Sequence, residues 1–210
     1  MRGAEERRQG EFIVSLSPKR EGRITGSVFA SAMGIGYDSR QKLWRTIKGL
    51  EPKFEGNAAT EWGQEHEKDA IDQYEIETGH IVTSGGDKQQ FVISKEYDWL
   101  GCTPDGEVGD TVIEAKCPAS LNVYGKVPAH YMAQVQGQMF ICEKPRCHFV
   151  VWTPFDFEVY EVERNDEYIA KMLDLLKEFK EYVDSGVEPK RRKKPVLPEV
   201  KCTKIIGEGE

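Results

Sequence analysis

The stretch Asp98–Pro118, DWLGCTPDGEVGDTVIEAKCP, decides the fold that we predict for this chain. Two short apolar runs, Trp99–Cys102 and Thr111–Cys117, flank a middle that is rich in glycine and aspartate. The second run contains several β-branched residues, which favour a strand. Glycine and aspartate supply the backbone freedom that a tight turn needs. The stretch therefore predicts a hairpin at the centre of the protein.

The strand at Thr111–Cys117 carries two charged side chains. Successive side chains of a strand point in opposite directions, so Glu114 and Lys116 fall on the same face. Eight residues separate Asp105 from Glu114, and the hairpin would bring the two carboxylates together. Two carboxylates, a backbone carbonyl and a nearby ammonium suit Mg²⁺, which prefers oxygen ligands and retains several waters. The alternative is an ordinary hairpin in which Glu114 and Lys116 form a surface ion pair.

The composition fits one domain without a membrane span. The 210 residues are 39% hydrophobic and 10% aromatic, which is enough for one core. No apolar run approaches the roughly 20 residues that cross a bilayer, and no signal-peptide pattern opens the chain. The net charge of −7 argues weakly against a general polyanion binder. A protein of negative net charge can nevertheless gather acids at one site and keep a local track of cations that binds nucleic acid.

The five cysteines predict reduced thiols. Their number is odd and no two are spaced as Cys-x-x-Cys, which favours free thiols in a cytosolic protein over a disulfide framework. A zinc or iron–sulfur site that uses Cys142, Cys147 and His148 stays open as an alternative.

A candidate phosphate site lies near the start of the chain. Thr25 is a typical N-cap for a short helix over residues 27–33. The Ser27 hydroxyl at that helix start, with Arg20 and Arg23 nearby in the sequence, provides donors that bind phosphate. The alternative is a solvated turn with capping hydroxyls.

Two further helices follow in the first half of the chain. Asp38 is expected to cap a helix over residues 39–48, and a long helix is predicted over residues 57–78, with Gly79 just past its end. Glu67 falls on the apolar stripe of the long helix. Since an unpaired buried charge is costly, we expect Glu67 either to lie at the rim of the core or to be buried for a function such as metal binding.

The second half of the chain alternates between helix and strand. Pro128 predicts the start of a helix over residues 129–142. On this helix Tyr131, Gln134 and Gln138 share one face, which either bonds phosphates or meets water. The remaining predicted elements are strands over residues 147–154 and 157–163 and an amphipathic helix over residues 165–185. The mixture predicts an α/β fold with a small mixed central sheet flanked by helices.

The charged end of the chain is predicted to lie outside the domain. The run Lys190–Lys194 holds five consecutive cations, which cannot pack together. We therefore expect residues 1–187 to form one domain and residues 188–210 to form a mobile tail. The tail either adds salt-sensitive contacts to DNA phosphates or is merely solvated.

Five motifs, taken in order, resemble the YqaJ group of viral recombinases, whose best-known member is lambda exonuclease. They are RxGxITGS at residues 20–27, EWGQEHEKDA at 61–70, GCTPDG at 101–106, EAKCP at 114–118 and YMAQVQGQM at 131–139. The string from Asp105 to Lys116 is similar to the PD-(D/E)xK nuclease motif. The resemblance implies a restriction-endonuclease-like core.

The resemblance also implies roles for individual residues. Asp105 and Glu114 match the metal-binding acids, and the Ala115 carbonyl matches a further metal ligand. Lys116 matches the catalytic lysine, and Glu67 matches the acid of a helical WGxxxE motif. The positions that match a 5′-phosphate pocket are Arg20, Ser27, Thr103 and Gln134, with Thr103 in place of a serine.

The implied activity is magnesium-dependent, processive 5′→3′ digestion of one strand of duplex DNA to 5′-mononucleotides, which leaves a 3′ overhang. The resemblance further implies two Mg²⁺ ions that Mn²⁺ can replace, a ring-shaped homotrimer and a single-strand annealing protein as partner. The expected location is the cytoplasm of a bacterial or phage-infected cell. Two alternatives stay open: an endonuclease of the same fold, and a non-catalytic protein that binds DNA ends and recruits the annealing protein.

Overall fold

The computed structural model describes residues 20–52 and 54–207, so residues 1–19 of the predicted domain lie outside the described part. The helices are α1 (Phe29–Met33), α2 (Arg40–Ile47), α3 (Ala58–Glu65), α4 (Glu67–Thr78), α5 (Ala129–Ile141) and α6 (Asp166–Ser185). The strands are β1 (Ile24–Thr25), β2 (Val92–Ile93), β3 (Leu100–Cys102), β4 (Gly106–Val108), β5 (Thr111–Lys116), β6 (Arg146–Trp152), β7 (Phe157–Glu163) and β8 (Cys202–Ile206). Short 3₁₀ turns lie at Gly26–Val28 and Gly86–Lys88.

The strands form two sheets. The larger sheet has the order β4-β5-β6-β7-β8, in which β5 and β6 run parallel and the other neighbours run antiparallel. Parallel neighbours need a crossover connection, and α5 lies in the one between β5 and β6. The smaller sheet has the order β1-β3-β2, with β1 parallel and β2 antiparallel to β3. The predicted mixed sheet is confirmed.

Helices cover both faces of the larger sheet. Val112 of β5 and Phe149 of β6 pack into a core with α1, α5 and α6. Ile113 and Val150, the next residue of each strand, pack on the opposite side with Tyr74 of α4. The alternation predicted for β5 is therefore confirmed, and with it the α/β fold with helices on both sides of a central sheet.

The helix predicted over residues 57–78 is two helices. They meet at His66, whose backbone leaves the helical region with φ −101° and ψ 3°. The His66 ring lies against Trp62 on one side and Trp152 of β6 on the other, at centroid distances of 3.9 and 5.2 Å. The interruption at His66 makes Glu67 the first residue of α4.

The other helices lie close to their predicted positions. The bounds of α5 and α6 differ from the prediction by one residue or less at each end, and Gly79 ends α4 with a left-handed φ of 69°. The predicted cap of α2 was wrong: Ser39 accepts from the backbone N–H of Lys42 at 3.2 Å, and Asp38 pairs instead with the Lys42 ammonium at 2.7 Å. Ser39 directly precedes the first helical residue, which is the position from which a side chain reaches that amide. In the described ranges no helix is both long and apolar enough to cross a membrane.

The end of the chain belongs to the larger sheet. Strand β8 pairs antiparallel with β7, and the Lys204 ammonium donates to Glu158 at 2.7 Å. Within the basic run, the Arg192 guanidinium lies 2.7 Å from Glu178 of α6. The expectation of a tail outside the domain was therefore wrong for residues 202–206. Glu178 of α6 thus offsets one cation of the basic run, and Glu158 of β7 offsets Lys204 of β8.

Candidate active site

Asp105 lies at the corner where β4 begins. Its backbone N–H donates to the Ile113 carbonyl at 3.1 Å, and its Oδ2 accepts from the Ala115 N–H at 2.8 Å. The carboxylate thus takes the place of a backbone acceptor and is fixed beside β5. Because the N–H and C=O of a strand residue point to the same edge, the Ala115 carbonyl faces the Asp105 side of the strand.

Glu114 is the most deeply buried acid of the site, with 1% of its surface exposed. Its Oε1 accepts from the Lys116 ammonium and the Gln134 amide, and its Oε2 accepts from the Gln138 amide. A buried carboxylate needs such donors because removal from water otherwise disfavours its charge. The amide face of α5 therefore meets Glu114 rather than water.

Glu67 approaches the same region from the start of α4. Its Oε1 accepts from Gln89 Nε2 at 2.6 Å. Burial raises the pKa of Glu67, and the negative charge of Glu114 adds to the rise, while Gln89 and Lys116 oppose it. Glu67 therefore lies within the electrostatic influence of Glu114 and Lys116.

Three acids, Asp105, Glu114 and Glu67, lie near Lys116, so negative groups exceed positive ones at the site. Burial raises the pKa of Asp105 well above its usual value, and the charges of Glu114 and Glu67 raise it further against the pull of Lys116. Burial by itself would lower the pKa of Lys116, but Glu114 and Asp105 outweigh that effect and raise it. Lys116 offsets only part of the negative charge, and the surplus on oxygen donors suits a hard divalent cation.

The oxygen donors at this corner have the chemistry that a divalent cation needs. Their side chains, however, do not converge on one point. In residues 20–52 and 54–207, no three acidic, histidine or cysteine side chains converge as ready ligands. Glu114 is turned toward Lys116 and two glutamines, so an ion would compete with these donors for its oxygens. The ligands available at this corner are Asp105, the Ala115 carbonyl, Glu114 and Glu67.

A cavity of about 310 Å³ opens beside Asp105. Its wall brings together all the residues predicted to hold a 5′-phosphate: Arg20, Ser27, Thr103 and Gln134. The Arg20 guanidinium donates to the Thr103 hydroxyl at 2.6 Å. A cation, hydroxyls and an amide from separate parts of the chain thus meet in one place, and these are the donors that phosphate needs. Arg23 is not part of this wall and donates instead to the Asp98 carbonyl at 2.7 Å.

Sequence reasoning gave no definite role in the site to three of its glutamines. Gln64 and Gln89 line the cavity, and the Gln138 amide donates to the Glu114 carboxylate. The buried Oε1 of Gln138 has no hydrogen-bond partner among the described residues, so the cavity wall keeps an unused acceptor. The signal for Gln138 was its place one turn beyond Gln134 on the amide face. Gln89 gave no signal, because it comes from a loop outside every motif.

The alternative zinc or iron–sulfur site is not formed. Cys147 and His148 are neighbours in β6 and point to opposite faces of the sheet: Cys147 lies in the core under α5 and α6, and His148 Nδ1 lies 2.7 Å from the Tyr74 hydroxyl. Cys142 lies with its sulfur 3.8 Å from that of Cys102, and both are free thiols. Strand alternation therefore separates the ligands that the sequence had placed side by side.

Comparison with known proteins agrees with this geometry. The sequence matches the YqaJ-like viral recombinase domain over residues 17–145. Two structures of LHK-Exo, an alkaline exonuclease from Laribacter hongkongensis, resemble the chain at TM-scores of 0.70 and 0.69, the first of them in complex with dAMP. Their sequence identities are 30% and 31%, and each match covers 80% of this chain and 91% of LHK-Exo.

A more distant structure shares the fold. A phage related exonuclease from Haemophilus somnus 129PT is 16% identical, with a TM-score of 0.62, over 79% of this chain and 95% of its own. No curated protein sequence matches the chain significantly.

Proposed function

The chain belongs to the YqaJ-like viral recombinase family, and from this premise we propose that it is a magnesium-dependent exonuclease of the lambda exonuclease kind. Its substrate is the end of linear duplex DNA. It removes 5′-mononucleotides from one strand in the 5′→3′ direction and leaves a 3′ overhang for single-strand annealing. LHK-Exo is an alkaline exonuclease, which supports the nuclease class.

The observation that carries this proposal is the shared position of the acids and the predicted phosphate pocket. Asp105 lines the cavity that Arg20 and Thr103 also line, and it is joined through β5 to Glu114 and Lys116. A cavity of about 310 Å³ is at the lower end of small-molecule sites and suits a single nucleotide. A terminal phosphate held there leaves the next phosphate of the strand beside the acids.

A magnesium ion at this corner would be held by Asp105, Glu114 and the Ala115 carbonyl, with Glu67 as a further ligand; we propose two ions in all, replaceable by Mn²⁺. When bound, the metal supplies Lewis-acid polarisation of the scissile phosphoryl group. Lys116 lies on the strand face of Glu114, where its ammonium orients the attacking water and stabilises the negative charge that develops on the phosphoryl oxygens.

The pocket around Arg20 sets the direction of digestion and the position of each cut. Its guanidinium and the hydroxyls of Ser27 and Thr103 bind the 5′-phosphate of the strand to be cut. Gln134 lines this pocket and donates to Glu114, so one side chain links phosphate binding to the acids. Each cut then removes one nucleotide and leaves a new 5′-phosphate for the pocket.

We also propose, from family membership, a ring-shaped homotrimer around the duplex and a single-strand annealing protein as partner. A ring gives processivity because the enzyme cannot leave a duplex that threads it. Light scattering tests the ring: the expected particle has three times the 23.9 kDa mass of the chain. A monomer at assay concentration contradicts it.

The exonuclease is tested by comparing three DNA substrates with Mg²⁺ and with EDTA. They are linear duplex with a 5′-phosphate, the same duplex without it, and covalently closed circular duplex. Asp105→Asn is expected to be inactive. Asp110→Asn is the matched control, because Asp110 lies on the same hairpin but pairs with Arg146 at 2.8 Å, away from the cavity.

Mononucleotides from the phosphorylated linear duplex, with the circle intact, are the expected result. Nicked or linearised circles would show an endonuclease of the same fold. End binding without cleavage of any substrate would show a recruiting protein.

A further inference from the structure

A ladder of rings leads from Lys116 to the protein surface. The Lys116 ammonium lies 5.2 Å from the centre of the Tyr131 ring. The Tyr131 and His130 rings have centroids 4.1 Å apart, and those of His130 and Tyr37 are 4.5 Å apart. Consecutive ring contacts therefore connect the proposed catalytic lysine with solvent.

Tyr37 is the exposed end of this ladder, with 83% of its surface accessible. The loop before it is nonetheless held in place. Gly36 donates to the Ala30 carbonyl at 2.9 Å, and a Cβ added to Gly36 would lie 2.5 Å from the Ser31 backbone nitrogen. This close packing fixes the loop and presents the Tyr37 ring beside His130 before any ligand arrives.

The ladder lies one helical turn from the phosphate cavity. His130 and Tyr131 are in the first turn of α5, and Gln134, three and four residues further on, lines the cavity. Residues at this spacing are neighbours on one helix face. One turn rises about 5.4 Å, which is comparable to the separation of phosphate and base within a nucleotide. A nucleotide whose phosphate is near Gln134 can therefore place a base at the rings.

We propose that Tyr37 and His130 form a platform on which an unpaired base at the DNA end stacks. Every base has a π face, so a platform of rings binds it with little sequence preference. Burial and the positive charge of Lys116 lower the pKa of His130, which favours a neutral ring suited to stacking. The inference rests on the proposed DNA-end substrate and adds a base-binding subsite to it.

Photocrosslinking tests the platform directly. The wild-type protein, with Ca²⁺ in place of Mg²⁺ to prevent cleavage, is mixed with 5′-phosphorylated duplexes that carry 5-iodouracil at one position. The position is varied over the terminal and internal nucleotides of both strands. Irradiation links this base to an aromatic side chain stacked on it, and mass spectrometry identifies the peptide. We expect crosslinks to Tyr37 or His130 from terminal positions and none from internal ones.

Binding by variants gives the quantitative test. Tyr37→Leu keeps an apolar side chain but removes the ring, and it should raise the Kd for DNA ends roughly tenfold, within the range for one stacked base. Tyr37→Phe should bind like the wild type, and binding to closed circular duplex should not change in either variant. Phe54→Leu is the matched control, since Phe54 is 68% exposed in the loop between α2 and α3 and is not part of the ladder.

Crosslinks only to other residues, or an unchanged Kd in Tyr37→Leu, would overturn the platform. A changed particle mass with unchanged end binding would overturn it too, and would make Tyr37 a contact between copies of the chain. Digestion assays on the same preparations separate the two proposals. Digestion without a crosslink to the ladder contradicts the platform alone, whereas a crosslink without digestion in Mg²⁺ contradicts the exonuclease and leaves the platform standing.

Discussion

Lys116 shares its face of β5 with Glu114, and its ammonium contacts that carboxylate. Lys116→Ala should reduce cleavage by at least roughly 100-fold, because a positioned donor to the developing charge is lost. Binding to DNA ends should change little, since the phosphate pocket is untouched. Timed digestion and end-binding titrations check both expectations. Lys126→Ala, in the exposed loop before α5, is the control, and cleavage retained in Lys116→Ala would remove the lysine from its assigned role.

Arg20 and Arg23 are three residues apart and differ in what they contact. Arg20→Ala should mainly abolish the preference for 5′-phosphorylated ends, because its guanidinium lines the cavity and donates to Thr103. Arg23→Ala should keep that preference, because Arg23 donates to the Asp98 carbonyl outside the cavity wall. The ratio of initial rates on phosphorylated and unphosphorylated duplexes measures the effect. Equal preference in wild type and Arg20→Ala would place the phosphate elsewhere.

The buried carboxylate of Asp105 destabilises the folded protein when it is ionised. Its folded-state pKa is raised by burial and by Glu114, so its contribution to stability is fully present below its unfolded pKa and lost as the pH rises through the folded value. Asp105→Asn keeps an acceptor for the Ala115 N–H and removes the charge. It should therefore raise the free energy of unfolding in EDTA at about pH 8 by roughly 0.5–2 kcal/mol, with a smaller gain at about pH 5.

Urea unfolding at the two pH values checks this prediction, and Mg²⁺ should stabilise the wild type more than Asp105→Asn. Asp110→Asn should show the opposite sign: Arg146 lowers the pKa of Asp110, so this residue stabilises the fold at neutral pH and loses that effect as the pH falls. A loss of stability in Asp105→Asn at about pH 8 would contradict the electrostatic account.

Among the elements, α5 links the core to the site. One face packs on α1, where Gly137 lies so close to Phe29 that an added Cβ would be 2.4 Å from the buried ring. Another face carries Gln134 and Gln138 to Glu114. One helix therefore carries both the packing against α1 and the amides that bind Glu114.

Two glycine-to-alanine substitutions separate this packing from helix propensity. Gly137→Ala should destabilise the protein by roughly 1–3 kcal/mol, because the Phe29 ring is buried and cannot move aside. Gly63→Ala in α3 should be neutral or stabilising by up to about 1 kcal/mol, since its Cβ would meet only the Cys117 carbonyl at 3.8 Å. Thermal and urea unfolding of both variants measure the difference. Equal effects would show that packing against α1 is not what excludes a side chain at residue 137.

For the whole molecule, β8 joins the end of the chain to the sheet. Glu158 on β7 is almost fully buried; burial would raise its pKa, but Lys204, Tyr160 and the Gly125 N–H outweigh this and lower it. The charge of Glu158 thus depends in part on a strand that comes more than forty residues later.

Removal of residues 201–210 should lower the free energy of unfolding by roughly 1–3 kcal/mol, because β7 loses one of its two partner strands and Glu158 loses the Lys204 ammonium. Specific exonuclease activity per folded molecule should persist, since none of the site residues lies in β8. Lys201→Ala is the control, as it removes only the surface pair with Glu163. Unfolding curves identical to those of the full chain would show that β8 adds nothing to stability.

The sequence by itself determined the features whose signal is local. Strand alternation set Glu114 and Lys116 on one face of β5, and helical periodicity located α5 and α6. The family motifs indicated which residues gather at the site, because each motif keeps its own short-range spacing whatever the rest of the chain does.

Only the tertiary structure decided the features that depend on distant segments. The His66 ring at the helix break packs on Trp152, and β8 pairs with β7. Gln89 reaches Glu67 from a loop that belongs to no motif, and the ring of Tyr37 meets His130 from another part of the chain. Such contacts form between residues that are tens of positions apart, so no local periodicity records them. They appear when burial of the two apolar cores brings the segments together.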